Sequence, residues 1–289
     1  MPKPITVEQP AELLAFLFAA WPEAKRKQVR TWLKFQAVLV NGRPVTQFDH
    51  PLKAGDVVAI RSDRFATPKT VLTSGMKVYF EDAHLIVIEK PEGLLSMGTE
   101  TEQEKTAYFQ LTEYVRRGKE QARDRIGIVH RLDKETSGLM VFAKTDKAKT
   151  TLQASWNQVE KRYEAVVEGR LPEDAGTFEC DLDEANPFKV YVAPPSELTR
   201  HAVTHYRVLK RREWRTLVEL TLQTGRRHQI RVQLAQAGCP VVGDEKYGAK
   251  SDPAKRLALH ACKLRFLHPE TGQELSFDSP LPKDLARLV

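Results

Sequence analysis

The residues best suited to chemistry lie in one stretch, residues 127–139. There the run Gly127-Ile128-Val129 delivers His130-Arg131-Leu132-Asp133-Lys134-Glu135 into a Thr136-Ser137-Gly138 turn. Arg131 and Lys134 flank Asp133, and nearby cations favour an ionised carboxylate. A carboxylate in that state works as a nucleophile or a base, not as a general acid. A lone aspartate of this kind is nevertheless more often a turn or capping residue, so its surroundings must decide. A glycoside hydrolase built on a carboxylate pair would need an acid beside Asp133, and Glu135 is the nearest candidate.

The elements that must position this stretch follow from hydrophobic period. Strand-like runs recur at residues 78–80, 85–88, 138–143, 163–167, 205–209 and 217–222, with helical patterns near 107–117 and 147–159. The expected fold class is α+β, with a large, mixed but mainly antiparallel sheet flanked by helices over residues 76–289. A small α/β unit should precede it over residues 1–62. Leu13, Leu14, Leu17 and Phe18 recur at helical spacing, and Val29, Trp32, Leu33 and Gln36 begin a second pattern that runs out near Ala37. Val38 to Val40 before Asn41-Gly42 signal a hairpin. The polar stretch 63–75, with Pro68 and no apolar period, reads as a linker.

Composition narrows the class. The chain has 289 residues, 41% hydrophobic and 29% charged, which excludes a disordered tail and a membrane bundle. The apolar stretch 13–21 is too short to span a bilayer. Three cysteines without a CxxC give neither a disulfide framework nor a cysteine-rich zinc site, so a reducing cytoplasm is expected. His201 and His205 have the spacing of helical zinc ligands, but their surroundings read as strand and no metal is expected.

The net charge of +7 becomes informative through clustering. Over residues 23–43, Lys25, Arg26, Lys27, Arg30, Lys34 and Arg43 oppose only Glu23, as a phosphate-tracking surface would. Over residues 205–231 eight basic residues oppose Glu213 and Glu219. Two such clusters predict a long polyanion as partner.

The His-Arg-Leu-Asp stretch resembles the signature of RluA-type pseudouridine synthases, and further blocks of that family follow in order. They are Lys161-Arg162-Tyr163-Glu164-Ala165-Val166-Val167-Glu168-Gly169, Thr224-Gly225-Arg226-Arg227-His228-Gln229-Ile230-Arg231-Val232, Gly243-Asp244-Glu245-Lys246-Tyr247-Gly248, and Leu259-His260-Ala261 with His268 and Pro269. Residues 25–60 more loosely resemble the small RNA-binding domain named after ribosomal protein S four, or alpha-L motif.

The resemblance implies an isomerase that cuts the uracil–ribose bond, turns the base and rejoins it through a ring carbon, with no cofactor or metal. Asp133 would be nucleophile or base, acting on the anomeric carbon, the ring or a ribose proton. Tyr163 would stack on the flipped uracil and serve in proton transfer, and Arg231 would pair with Asp133. Arg131, Ile230, Arg226 and His228 would meet the substrate, with Arg131 helping to displace the base. Lys25, Arg26, Lys27, Arg30 and Lys34 would hold RNA. Ribosomal large-subunit RNA is the first substrate expected and transfer RNA the second, for a cytoplasmic monomer without membrane association. The rival is a noncatalytic RNA-binding protein on the same scaffold.

The chain departs from the family pattern at Gln233, where histidine is usual, and at Leu94-Leu95-Ser96-Met97-Gly98. The Gly243 block reads as a structural turn.

Overall fold

The computed structural model describes residues 4–24, 26–34, 38–45, 47–60, 70–71, 75–116 and 126–289. The chain divides into two units, residues 1–67 with Ser276–Asp278, and residues 68–275 with 279–289.

In the smaller unit, Leu13 and Leu17 of α1 (Leu13–Ala20) and Val29 and Leu33 of α2 (Arg26–Lys34) share one core with Val38, Val40, Val58 and Ile60. Full burial of each such aliphatic side chain contributes about 1.5–3 kcal/mol. Its strands are β1 (Ile5–Thr6), β2 (Ala11–Glu12), β3 (Val38–Val40), β4 (Arg43–Pro44), β5 (Pro51–Leu52) and β6 (Val57–Ile60). The main sheet has the order β1-β6-β3-β4, and a second pair joins β2 to β5. The β3–β4 hairpin turns on Asn41 (φ 50°) and Gly42 (φ 78°), both left-handed as a two-residue hairpin requires. Helix α2 is described to Lys34; Gln36 and Ala37 lie outside the described residues.

The larger unit is built on one sheet. Its strands are β7 (Thr70–Val71), β8 (Lys77–Glu81), β9 (Leu85–Lys90), β10 (Gly127–Ile128), β11 (Ser137–Ala143), β12 (Glu160–Glu168), β13 (Ala175–Asp183), β14 (Tyr191–Ala193), β15 (Arg200–Arg211), β16 (Arg215–Leu222) and β17 (Leu259–Leu267). Along its main path the order is β14-β13-β15-β16-β12-β17-β11-β9-β8-β7, with β10 paired to β11. The β11–β17 pair is parallel and its neighbours along the path are antiparallel, so the expected mixed but mainly antiparallel sheet is present. Residues 85–88 and 139–143 are apolar without alternation because both faces of β9 and β11 are covered. Helices α3 (Ala107–Arg116), α4 (Asp146–Ala154) and α5 (Gln229–Gln236) accompany the sheet.

Two local expectations change. Thr70–Val71, inside the stretch read as a linker, pairs with Val78 and Lys77 as the outermost strand, because two backbone ladder positions need no apolar period. Gln229-Ile230-Arg231-Val232-Gln233-Leu234, outside the helical patterns named above, is a helix with all these residues buried. Polar and apolar residues alternate there because Gln229, Arg231 and Gln233 meet polar partners inside the protein.

Candidate active site

Asp133 sits on the loop between β10 and β11, and that loop is held from behind. The Ser96 hydroxyl donates to the Leu132 carbonyl (2.6 Å) and accepts the Leu132 N–H (3.1 Å). The fully buried Lys90 ammonium donates to the carbonyls of Pro91 (2.9 Å), Leu94 (2.8 Å) and Lys134 (3.1 Å). Burial pulls the Lys90 pKa down to about 7, against Asp133 and Glu135, which favour its charged form. The departure at residues 94–98 therefore forms part of the support of the Asp133 loop. Upstream, His130 stacks on Trp156 with ring centroids 4.3 Å apart, and its Nε2 accepts the Val141 N–H (3.1 Å).

The loop ends where β11 meets β17. Gly138 has φ 126°, and a Cβ there would lie 2.3 Å from the Ala261 carbonyl oxygen, so the close parallel start of β11 requires glycine. Beside it, Arg256 Nη2 donates to Ser137 Oγ (2.6 Å), which faces His260 Nδ1 (2.8 Å); His260 Nε2 faces Ser279 Oγ (2.9 Å), which donates to Glu89. One proton order satisfies every member, Arg256 to Ser137 to His260 to Ser279 to Glu89, with His260 neutral. Burial agrees, pulling its pKa down to about 4.

Asp133 opens into a cleft that brings together every site residue read from the larger unit. Asp133, Tyr163 and Arg231 line it with Arg131, Arg226, His228 and Ile230. Asp133 is a quarter exposed (25%), reachable by solvent and by a ligand. Tyr163 comes from β12, and burial, with Asp133 second, pushes its phenol pKa well up, so the hydroxyl stays protonated. Arg131 and Arg226 are exposed.

Arg231 is held differently from the simple pair expected. Its Nε and Nη2 grip Asp244 in a fork at 2.6 and 2.7 Å, both side chains buried, while only Nη1 turns to Asp133 at 3.5 Å and to Glu135 at 3.5 Å. The bidentate bond fixes the guanidinium plane, so its third nitrogen presents a directed positive charge to the cleft. Despite the desolvation that opposes it, the Asp244 contacts hold the Arg231 pKa well above its usual value. The Gly243 block is thus more than a turn, since Asp244 anchors Arg231.

Tyr247 backs two of the lining residues, Arg231 and His228. Its ring lies 5.2 Å from the Arg231 guanidinium carbon, and its hydroxyl accepts the Val190 N–H (2.9 Å) and faces His228 Nδ1 (2.8 Å). With the phenol donating to Nδ1, the tautomer that gives Asp133 Oδ2 a facing N–H, His228 Nε2 lies 3.9 Å from that oxygen. Burial lowers the His228 pKa and keeps the ring neutral.

Asp244 and Tyr247 were legible only as parts of a family block, since nothing in their local spacing signals Arg231 or His228. Gln233 accepts from Thr204 Oγ1 (2.6 Å) and donates to the Ala202 carbonyl (3.1 Å), tying α5 to β15 rather than entering the cleft.

The second basic cluster is partly paired within the fold. Arg207 pairs with Glu219 (3.0 Å), Arg211 with Asp174 (2.7 Å), and Arg227 holds the carbonyls of Pro187 and Glu184. Arg231 is buried on Asp244, whereas Arg207, Lys210, Arg212 and Arg226 are exposed, so only part of that charge is taken up inside the protein, which a count along the sequence cannot see. In the first cluster Arg26 and Arg30 are exposed on α2. Lys25 and the side chains of Lys27 and Lys34 lie outside the described residues.

Among the described residues, no three or more His, Cys, Asp or Glu side chains gather as a metal ion would require, and no helix is long and apolar enough to cross a membrane.

A carboxylate loop and an arginine helix meeting on a sheet of this kind define a class. Residues 84–236 match the model of the RNA pseudouridylate synthase family, and the chain belongs to that family, an isomerase converting uridine to pseudouridine in RNA.

Among its relatives, it is 36% identical to ribosomal large subunit pseudouridine synthase D of Xanthomonas campestris pv. campestris, with 95% of this chain and 87% of that protein covered. It is 35% identical to the uncharacterized RNA pseudouridine synthase YlyB of Bacillus subtilis, over 98% of this chain and 94% of that one. The solved human RNA pseudouridylate synthase domain containing 4 superposes with a TM-score of 0.59 at 27% identity, covering 73% of this chain and 92% of that one. The family, the α+β class and the reaction expected from the sequence are borne out.

Proposed function

We propose that this chain isomerises specific uridines of large-subunit ribosomal RNA, with Asp133 as the carboxylate that engages the nucleoside and transfer RNA as the second candidate. The observation that carries the site assignment is the partly exposed Asp133 carboxylate in a cleft that also holds Tyr163 and the Arg231 nitrogen left over from the Asp244 fork. The names of the Xanthomonas relative and of Escherichia coli ribosomal large subunit pseudouridine synthase D, 33% identical, support the choice of RNA.

The reaction breaks the bond from uracil N1 to the ribose carbon C1′ and forms one from C5 to C1′. C5 gives up a proton and N1 gains one, so the composition is unchanged and no redox partner or group donor enters. Asp133 acts as nucleophile or base. Arg231 orients it and balances its charge, and Tyr163, a neutral phenol with an aromatic face, stacks on the turned base. Reaching a stacked uridine requires its extrusion, and Arg131, exposed and lining the cleft, fills the space it leaves.

The unit read as residues 1–62, with Arg26 and Arg30 exposed on α2, serves as an RNA-binding domain joined through residues 63–75. It raises the effective concentration of RNA at the cleft. The enzyme works as a cytoplasmic monomer without metal or cofactor.

The test uses ribosomal RNA transcript tritiated at uracil C5, from which each turnover releases one label. Wild type releases tritium, and Asp133→Asn releases none while binding the same RNA. Turnover by the purified Asp133→Asn protein would remove Asp133 from its role.

A further inference from the structure

The loop of residues 184–190 and the first residues of β14 carry an aromatic surface that the chemistry of the cleft does not use. Phe188 is 77% exposed and Tyr191 48% exposed. The loop is nonetheless pinned at several points. Arg227 donates to the carbonyls of Glu184 (2.9 Å), Pro187 (2.8 Å) and Asn186, and its own N–H goes to Glu184 Oε1 (2.7 Å). Asn186 Oδ1 accepts the N–H groups of Phe188 (2.8 Å) and Lys189 (3.2 Å), and the Val190 N–H ends on the Tyr247 hydroxyl. Phe188 is therefore exposed on an ordered loop.

The pins lead to the cleft. Arg227 stands between Arg226 and His228, both of which line it, and the Tyr247 hydroxyl that receives Val190 also faces His228. The Lys189 ammonium lies 5.7 Å from the Tyr191 ring centre and 5.4 Å from that of Tyr247, between the exposed Tyr191 and the ring that backs His228. A held aromatic face beside a cation is the pairing that single-stranded RNA uses, base on ring and phosphate on ammonium.

We propose that Phe188 is a stacking platform for an unpaired base next to the target uridine, with Lys189 taking the adjoining phosphate. The inference rests on the Asp133 cleft being where the uridine is bound. Turning one base out of a strand leaves its neighbour without a stacking partner on that side, and Phe188 replaces it.

The test compares Phe188→Ala and Phe188→Trp in the full chain on the tritiated ribosomal transcript. Phe188→Ala is expected to lower kcat/KM about ten-fold through KM, with kcat within about two-fold, and Phe188→Trp to restore it. Binding of a uridine oligoribonucleotide carrying 2-aminopurine, read by fluorescence quenching without turnover, should weaken in Phe188→Ala and recover in Phe188→Trp.

Unchanged KM and quenching in Phe188→Ala would overturn the platform and leave the exposed edge to a protein partner. So would a tryptophan variant no better than alanine, or a loss that tracks a lowered melting temperature. Wild type that quenches the probe but releases no tritium overturns the proposed action on ribosomal RNA and leaves the platform standing.

Discussion

At the scale of single residues, the site is a charge balance arranged by one buried fork. Arg231 could neutralise Asp133 by direct contact, yet its two strong hydrogen bonds go to Asp244, and the cleft receives what remains. A guanidinium held in this way cannot swing across Asp133 and close the cleft. Asp244→Asn should therefore act twice. Leaving a buried guanidinium without its anion costs about 3–5 kcal/mol of stability. The released Arg231 then misplaces the charge that orients Asp133, lowering kcat by on the order of 10²-fold. Urea unfolding and steady-state kinetics at a temperature where the variant remains folded separate the two effects. A variant with wild-type kcat would show that the fork is structural only.

At the scale of elements, the Asp133 loop is clamped at both ends. Ser96 holds Leu132 just before Asp133, and the His260 chain holds Ser137 just after it. Ser96→Ala leaves a buried N–H and a buried carbonyl unpaired, a loss of about 1–3 kcal/mol. It should lower kcat more than it raises KM, because the uridine wall is intact while the carboxylate drifts. Chemical denaturation and kinetics on the same preparation check this.

The His260 chain predicts a response to acid. His260 is neutral when folded, with its pKa pulled to about 4 by burial from a usual value of 6.5, so the unfolded chain binds the extra proton between those values. Its contribution to stability is full above pH 6.5 and is lost as pH falls toward 4, at up to about 1.4 kcal/mol per pH unit. The melting temperature should drop across that window, and His260→Gln should flatten the drop while starting from a lower value. Equal slopes for the two proteins would remove His260 as the cause.

At the scale of the whole molecule, the chain has two units, with the family match and the Asp133 cleft in the larger one and a basic helix in the smaller. Each phosphate neutralised by an exposed cation adds to the dependence of binding on salt, whereas an arginine already paired inside the protein adds nothing. Removing residues 1–62 should weaken RNA binding and make the plot of log K against log salt shallower, by about 0.7–0.9 per lost contact. Titrations at several salt concentrations check this, and an unaltered slope after truncation would take the smaller unit out of RNA binding.

The sequence by itself determined which side chains could react and what most of the elements are. Covalent order keeps Asp133 between Arg131 and Lys134 in any fold, and apolar period fixes strands such as β9 and β11 before they pair. It could not determine partners far apart along the chain. Arg231 and Asp244 lie on different elements, Ser137 and His260 are 123 residues apart, and Ser96 reaches Leu132 across 36. Helix α5 shows the limit most clearly. Its alternating polar residues carry no helical signal until Val203, Thr204, Ala202 and Asp244 supply the hydrogen bonds that make their burial tolerable. Only the tertiary structure decides which charges meet RNA and which hold the protein together, because a charge has no partner until the chain has folded around it.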